Sequence, residues 1–185
     1  MINPSNGNLY MYSGKIGFPS GSPSLLDIAI SLSREGRYAG AGMRFWPVAL
    51  HTFVVCDLLP DALKIHGLLH DSTECVTGDI PKPAKSTDVE FLEDELLDVI
   101  YKYLEIEMPD TTVWALIKDA DKKALRGEVY TVGTQALQQV YERCPEAEEL
   151  VYKYLDKSDY ADCLEASGRV PIEFMKRFRQ YKDLL

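Results

Sequence analysis

Apolar residues along this chain recur every three or four positions rather than alternately, which predicts helices and no strand. Leu25, Ile28 and Leu32 follow a capping box of Ser24 and Asp27, so a helix is predicted over 25–35. Gly36, Gly40 and Gly42 interrupt the pattern and predict a loop over 36–45. Pro47 suits a first helical turn, predicting a helix over 47–58. Pro60 and Asp61 open the next helix, which runs to about Val76, and Gly78, Pro81 and Pro83 impose a loop. Thr87 and Glu90 form a second capping box before Leu92, Leu96, Val99, Ile100 and Tyr103, a long amphipathic helix ended by Pro109. Val113, Ile117, Ala120, Ala124 and Leu125 predict a helix over 112–130, and Pro145 and Pro171 each precede further helical pattern. Residues 1–23, rich in Gly, Pro, Ser and Asn with aromatic anchors, read as an irregular arm; 131–185 read as C-terminal helices. The expected fold is all-α, one domain over 1–185 built as a bundle of roughly seven helices.

Composition narrows the partners. The 185 residues are 46% hydrophobic, enough for one sizeable core. A net charge of −9 with no long basic run repels a polyphosphate backbone, so polymeric nucleic acid is a poor partner. A small anion remains compatible, because a metal ion and a few placed cations reverse the local field. Cys56, Cys75, Cys144 and Cys163 form no CxxC pair and read as reduced thiols of a cytoplasmic protein. The opening MINPSNGNLY lacks the pattern of a signal peptide, and no apolar stretch reaches membrane-spanning length, so no membrane association is expected. The apolar face of 87–107 and the arm make a homo-oligomer the expected assembly.

The candidate chemistry begins with the three histidines, His51, His66 and His70. His70 and Asp71 are adjacent in the apolar run LLHDSTE, where an unpartnered buried carboxylate would cost several kcal/mol. A cation resolves that cost, and imidazole with carboxylate is a donor set for Mn, Co, Zn or Fe. His51 belongs to an earlier predicted helix, and Asp121 to a later one, on the face shared with Ile117, Ala124 and Glu128. Convergence of these three helices would give one divalent-metal site of His51, His70, Asp71 and Asp121. Glu74, four residues after His70, is a carboxylate placed for acid–base work. His66 reads as a core or supporting histidine and stays outside the metal set. Arg44, Phe45 and Trp46 precede the helix of His51; one aromatic is a candidate to stack on a base or sugar, the other core. Trp114 and Tyr130 read as core.

The order His51, His70-Asp71, Asp121 resembles the H…HD…D signature of the HD-domain phosphohydrolase superfamily. The blocks YSGKIGF, DIAISLSREGRYAG, FWPVALH, LLHDSTECVTGDIPKPAK and ADKKALRGE extend that resemblance over roughly residues 10–130. They are similar to phage dATP triphosphohydrolases and to bacterial 5′-deoxynucleotidases. The resemblance implies an HD-type helical bundle, a metal-dependent hydrolase of deoxynucleotides, and Asp71 and Glu74 in catalysis. It further implies Arg37 and Lys85 as phosphate ligands, with Lys82 beside them and Asp79 in the same GDIPKPAK loop near base or sugar. A dNTP triphosphohydrolase acting on dATP, with Mg accompanying the triphosphate, is the favoured expectation. The alternatives are a 5′-deoxynucleotidase acting on dNMPs and a non-catalytic nucleotide- or metal-binding module.

Overall fold

A computed structural model describes residues 22–155 and 163–185, so most of the predicted arm over 1–23 lies outside the described residues. The chain is all-α. Its elements are α1 (Leu25–Leu32), α2 (Val48–Asp57), α3 (Lys64–Leu69), α4 (Glu74–Thr77), α5 (Thr87–Tyr103), α6 (Thr111–Thr131), α7 (Gln135–Gln138), α8 (Pro145–Leu155) and α9 (Cys163–Lys182). Among the described residues the nearest thing to a strand is one isolated antiparallel bridge, Gly36 to Pro47. No helix among them is long and apolar enough to cross a membrane.

The expected helix over 47–58 is the centre of the bundle. Every residue of α2 from Val48 to Cys56 is buried, the mark of a helix surrounded on all sides. It packs against α1, α3, α6, α8 and α9. Around it, α1 contributes Ile28 and Leu32, α5 contributes Leu96 and Ile100, and α6 contributes Ile117 and Ala124. The Ser24–Asp27 capping box forms as predicted: the Ser24 backbone N–H donates to Asp27 Oδ2 at 2.9 Å and the Asp27 N–H donates to Ser24 Oγ at 3.2 Å. At α5 the cap is Ser86 rather than Thr87, and its hydroxyl oxygen accepts from the Val89 N–H. Asp110 caps α6 by accepting from two backbone N–H groups at 2.8 Å.

Three stretches depart from the sequence reading. The helix expected from Asp61 to Val76 is broken: a 3-10 turn over Asp61–Leu63 leads into α3, which stops at Leu69, and α4 begins only at Glu74. The intervening turn is held by Ser72 N–H to Leu69 O at 2.9 Å and Glu74 N–H to Asp71 O at 3.0 Å. The predicted loop over 36–45 contains a 3-10 turn, Arg37–Gly40. Pro171 does not open a helix but lies inside α9, whose Val170, Phe174 and Phe178 are buried at i, i+4 and i+8.

α9 is fastened to the bundle through a buried cation. The Arg177 guanidinium lies 4.4 Å over the Phe53 ring and donates to Tyr154 Oη at 2.7 Å. The Tyr154 hydroxyl in turn donates to Asp57 Oδ2 at 2.7 Å, so α2, α8 and α9 share one polar chain. Cys56 and Cys75 are buried free thiols, and burial pushes the Cys75 thiol up to about 12, which keeps it protonated and inert.

Candidate metal centre

Three elements bring the predicted donors together. α2 supplies His51, the turn after α3 supplies His70 and Asp71, and α6 supplies Asp121. One donor atom each from His51, His70 and Asp121 all lie within 4.8 Å of one another. His51 Nε2 is 3.1 Å from Asp121 Oδ1 and 3.6 Å from Asp71 Oδ2, while His70 Nε2 is 3.2 Å from the same Asp71 oxygen. His66 stands apart, one turn earlier in α3, its ring stacked on Tyr101 at 5.8 Å.

The fit to a cation follows from where the imidazole protons are. His51 Nδ1 is 2.7 Å from Glu128 Oε1, and His70 Nδ1 is 2.8 Å from the Gly67 carbonyl oxygen. Both acceptors lack a proton to give, so each Nδ1 donates and each ring turns its Nε2 inward, the atom that would bind a metal once its own proton is displaced. Both Nε2 atoms are buried with no hydrogen bond of acceptable geometry. They face carboxylate oxygens, lone pair against lone pair, an arrangement that a shared positive charge relieves. A tetrahedral ion holding N and O donors at about 2.1 Å sets them about 3.4 Å apart, close to the separations seen. Burial and Arg37 push the His51 proton affinity down, but Glu128 and Asp121 more than offset them and bring it up to about 10. The protein alone therefore holds a proton where a metal ion would sit. Asp71 stays well below the usual carboxylate range despite its burial, because His70, His51 and Arg37 surround it.

Glu128 is the functional residue that went unassigned in the sequence. It is fully buried on α6 and gathers His51, Arg37 and Tyr38 around one carboxylate. Burial raises its proton affinity, and His51 and Arg37 lower it further than burial raises it. Such a carboxylate–histidine pair fixes the tautomer and orientation of a metal-binding imidazole. Its signal was its place on the α6 face shared with Ile117 and Ala124.

The 3-10 turn after α1 supplies Arg37 at the cost of backbone strain. Tyr38 and Ala39 adopt left-handed φ values of 61° and 51°, a conformation costing about 1–2 kcal/mol per residue. Arg37 N–H to Trp46 O at 2.9 Å and Tyr38 N–H to Asp79 Oδ2 at 3.1 Å hold it there. Gly78, at φ 76°, turns the chain so that Asp79 reaches that N–H. Asp79 thus braces the turn through its carboxylate, and it is not among the residues lining the cavity beside the cluster. Arg37 itself is nearly buried, 3.1 Å from Glu128 and 3.7 Å from Asp71. Its charge is committed within the protein.

A cavity of about 490 Å³ is lined by His70, Asp71 and Glu74 of the cluster region and by Lys85, Glu93, Asp94, Leu97, Met108, Trp114 and Lys118. Glu74 is buried with Oε2 unpaired, and burial, then Asp71 and Asp79, hold its carboxyl well above the usual range. Lys85 reaches the cavity but is paired with Glu93 at 2.8 Å. Lys82 and Arg44 are exposed and do not line it. Trp46 is only 2% exposed and Phe45 packs against the core, so neither offers a face to a ligand there. The tryptophan on the cavity wall is Trp114, which the sequence reading assigned to the core.

Fold and site together define an all-α bundle whose centre carries a His51–His70–Asp121 cluster able to hold a metal ion. No protein-family profile matches the chain. The chain is similar to the uncharacterized protein YfdR of Escherichia coli (strain K12), with 38% identity over 76 residues. That match covers 40% of this chain and 43% of YfdR, so it spans less than half of either.

Proposed function

We propose that this protein is a metal-dependent phosphohydrolase of the HD-domain type that acts on deoxynucleotides. The observation that carries the reading is the juxtaposition of two buried imidazole Nε2 atoms without hydrogen bonds, two aspartates and the buried Glu74 carboxyl beside one cavity. His51, His70, Asp71 and Asp121 would hold one divalent transition metal. Such an ion supplies a water of lowered pKa and polarises a phosphoryl oxygen. Glu74, which lines the same cavity and whose carboxyl is held well above the usual range, would give a proton to the departing 5′-oxygen as water adds to phosphorus and the P–O ester bond breaks. Asp71, kept ionised by its neighbours, completes the negative lining that a cation requires. A non-catalytic metal-binding module would use the same donor set, and phosphate release separates the two readings.

The charge of the cavity bears on substrate size. The triphosphate reading, with dATP and its accompanying Mg, draws on Arg37, Lys82 and Lys85 as phosphate ligands. Arg37 and Lys85 are already paired and Lys82 stands outside, which favours a monophosphate and hence the 5′-deoxynucleotidase reading. Preference for a 2′-deoxy sugar or for adenine rests on the resemblance, since Trp46 is buried. The test is phosphate release by chelator-treated protein from dAMP, AMP and dATP, with Mn, Co or Zn restored. Release only with metal, fastest from dAMP and lost in Asp121→Ala together with metal content, is expected. No release from any of the three substrates would overturn the enzyme reading.

A further inference from the structure

One wall of the cavity is a single helix face. Trp114, Lys118 and Asp121 stand at i, i+4 and i+7 of α6, positions that stack on one side of a helix. At about 1.5 Å of rise per residue, Lys118 is about 4.5 Å and Trp114 about 10 Å along the axis from Asp121. Trp114 and Lys118 line the cavity together with His70, Asp71 and Glu74. Trp114 is half-buried, backed by the core, and lines the cavity together with the apolar side chains of Leu97 and Met108. An aromatic side chain with apolar companions in a cavity wall is the setting in which a planar ring stacks.

The cations single out one residue. Arg37 is taken by Glu128 and Asp71, and Lys85 by Glu93. Among the described residues, Lys118 lines the cavity and makes no ion pair. Three carboxylates, Asp71, Glu93 and Asp94, line the same space beside the Glu74 carboxyl, so the ligand charge it tolerates is small. We propose that α6 is a ruler for the ligand: Lys118 binds one phosphate beside the cluster, and Trp114, one turn further along the helix and about two turns from Asp121, stacks on a heteroaromatic base. The ligand class is a nucleoside carrying a single phosphate. The placement of the phosphate rests on the phosphohydrolase reading; the ring-binding role of Trp114 does not.

The experiment uses the full chain in a Glu74→Gln background with Zn present, so that bound ligand persists. The chain has two tryptophans, and of these Trp46 is buried. Titration with dAMP should quench tryptophan emission, and 2-deoxyribose 5-phosphate, which lacks the base, should not. Trp114→Phe should abolish the quench. Lys118→Gln, at an exposed position, should weaken dAMP roughly tenfold while leaving deoxyadenosine unchanged, as expected for loss of one charged contact. In otherwise wild-type enzyme both substitutions should raise KM for dAMP more than they lower kcat. Absence of quenching by dAMP, equal quenching by 2-deoxyribose 5-phosphate, unaltered dAMP affinity in Lys118→Gln, or dATP binding more than about tenfold tighter than dAMP would each overturn the ruler. Quenching of the expected pattern without hydrolysis sinks the enzyme reading and leaves the ruler. Hydrolysis with KM unmoved in both variants does the reverse.

Discussion

Glu74 and Glu128 are both buried glutamates of one site, and their surroundings send them opposite ways. Glu128 faces Arg37 and His51, which lower its proton affinity, whereas burial and then Asp71 and Asp79 raise that of Glu74 well above the usual range. One therefore fixes a ring and the other is tuned toward proton donation. Glu74→Gln is nearly isosteric and Glu74 is outside the His51–His70–Asp121 cluster, so fold and metal content should be retained. The rate should fall roughly 100-fold or more if the proton is donated to the leaving oxygen. Parallel measurement of kcat, melting temperature and bound metal checks this, and a near-normal kcat contradicts the role. The donors themselves were legible in the sequence because His and Asp within apolar segments demand a partner. The exchange of roles between Trp46 and Trp114 was not, since both lie in helical or near-helical apolar context. Only packing decides that one is core and the other a wall.

At the scale of elements, helix existence was readable from period and caps, while interruptions were not. The break between α3 and α4 falls on Asp71, Ser72 and Thr73, residues whose side chains and turn propensity compete with helical bonding. The same poor propensity that marked Asp71 as unusual in a helix is resolved first by ending the helix, and that turn aims His70 and Asp71 at His51. Pro171 failed as a boundary marker because burial of Val170, Phe174 and Phe178 outweighs a lost N–H donor costing about 3 kcal/mol. The contact of α6 with α8 is set by Gly127, where an added Cβ would lie 2.6 Å from the Ala147 carbonyl carbon and 2.7 Å from the Glu148 nitrogen. Both neighbours are backbone and cannot swing away. Gly127→Ala should destabilise by about 1–3 kcal/mol through overpacking, lowering the melting temperature by about 2–4 °C per kcal/mol. It should also displace the adjacent Glu128 and weaken metal retention. Thermal melts with metal analysis test both, and an unchanged melt would mean that α8 yields freely.

For the molecule as a whole, the cluster is tied to the most buried part of the bundle. His51 comes from the central α2, and His70, Asp71 and Asp121 from elements packed on it. Without metal, His51 takes up a proton in the folded state, its pKa being about 10 against an ordinary 6.5. The stability from that proton is complete below pH 6.5 and is lost as pH rises toward 10. A bound cation must displace it, so added Zn should raise the melting temperature more at pH 8.5 than at pH 6.5. At a free metal concentration of 100 Kd the gain is about 2.7 kcal/mol, or about 5–10 °C for a chain of this size. A melting temperature indifferent to Zn and chelator would remove the metal site. The donors are drawn from distant stretches, positions 51 to 121, so an ion among them acts as a reversible cross-link closing a long loop of chain. Mass action would then make the folded population a gauge of available metal: with an ion bound among these donors, a fall in supply loosens the fold itself, and abundance follows the cation.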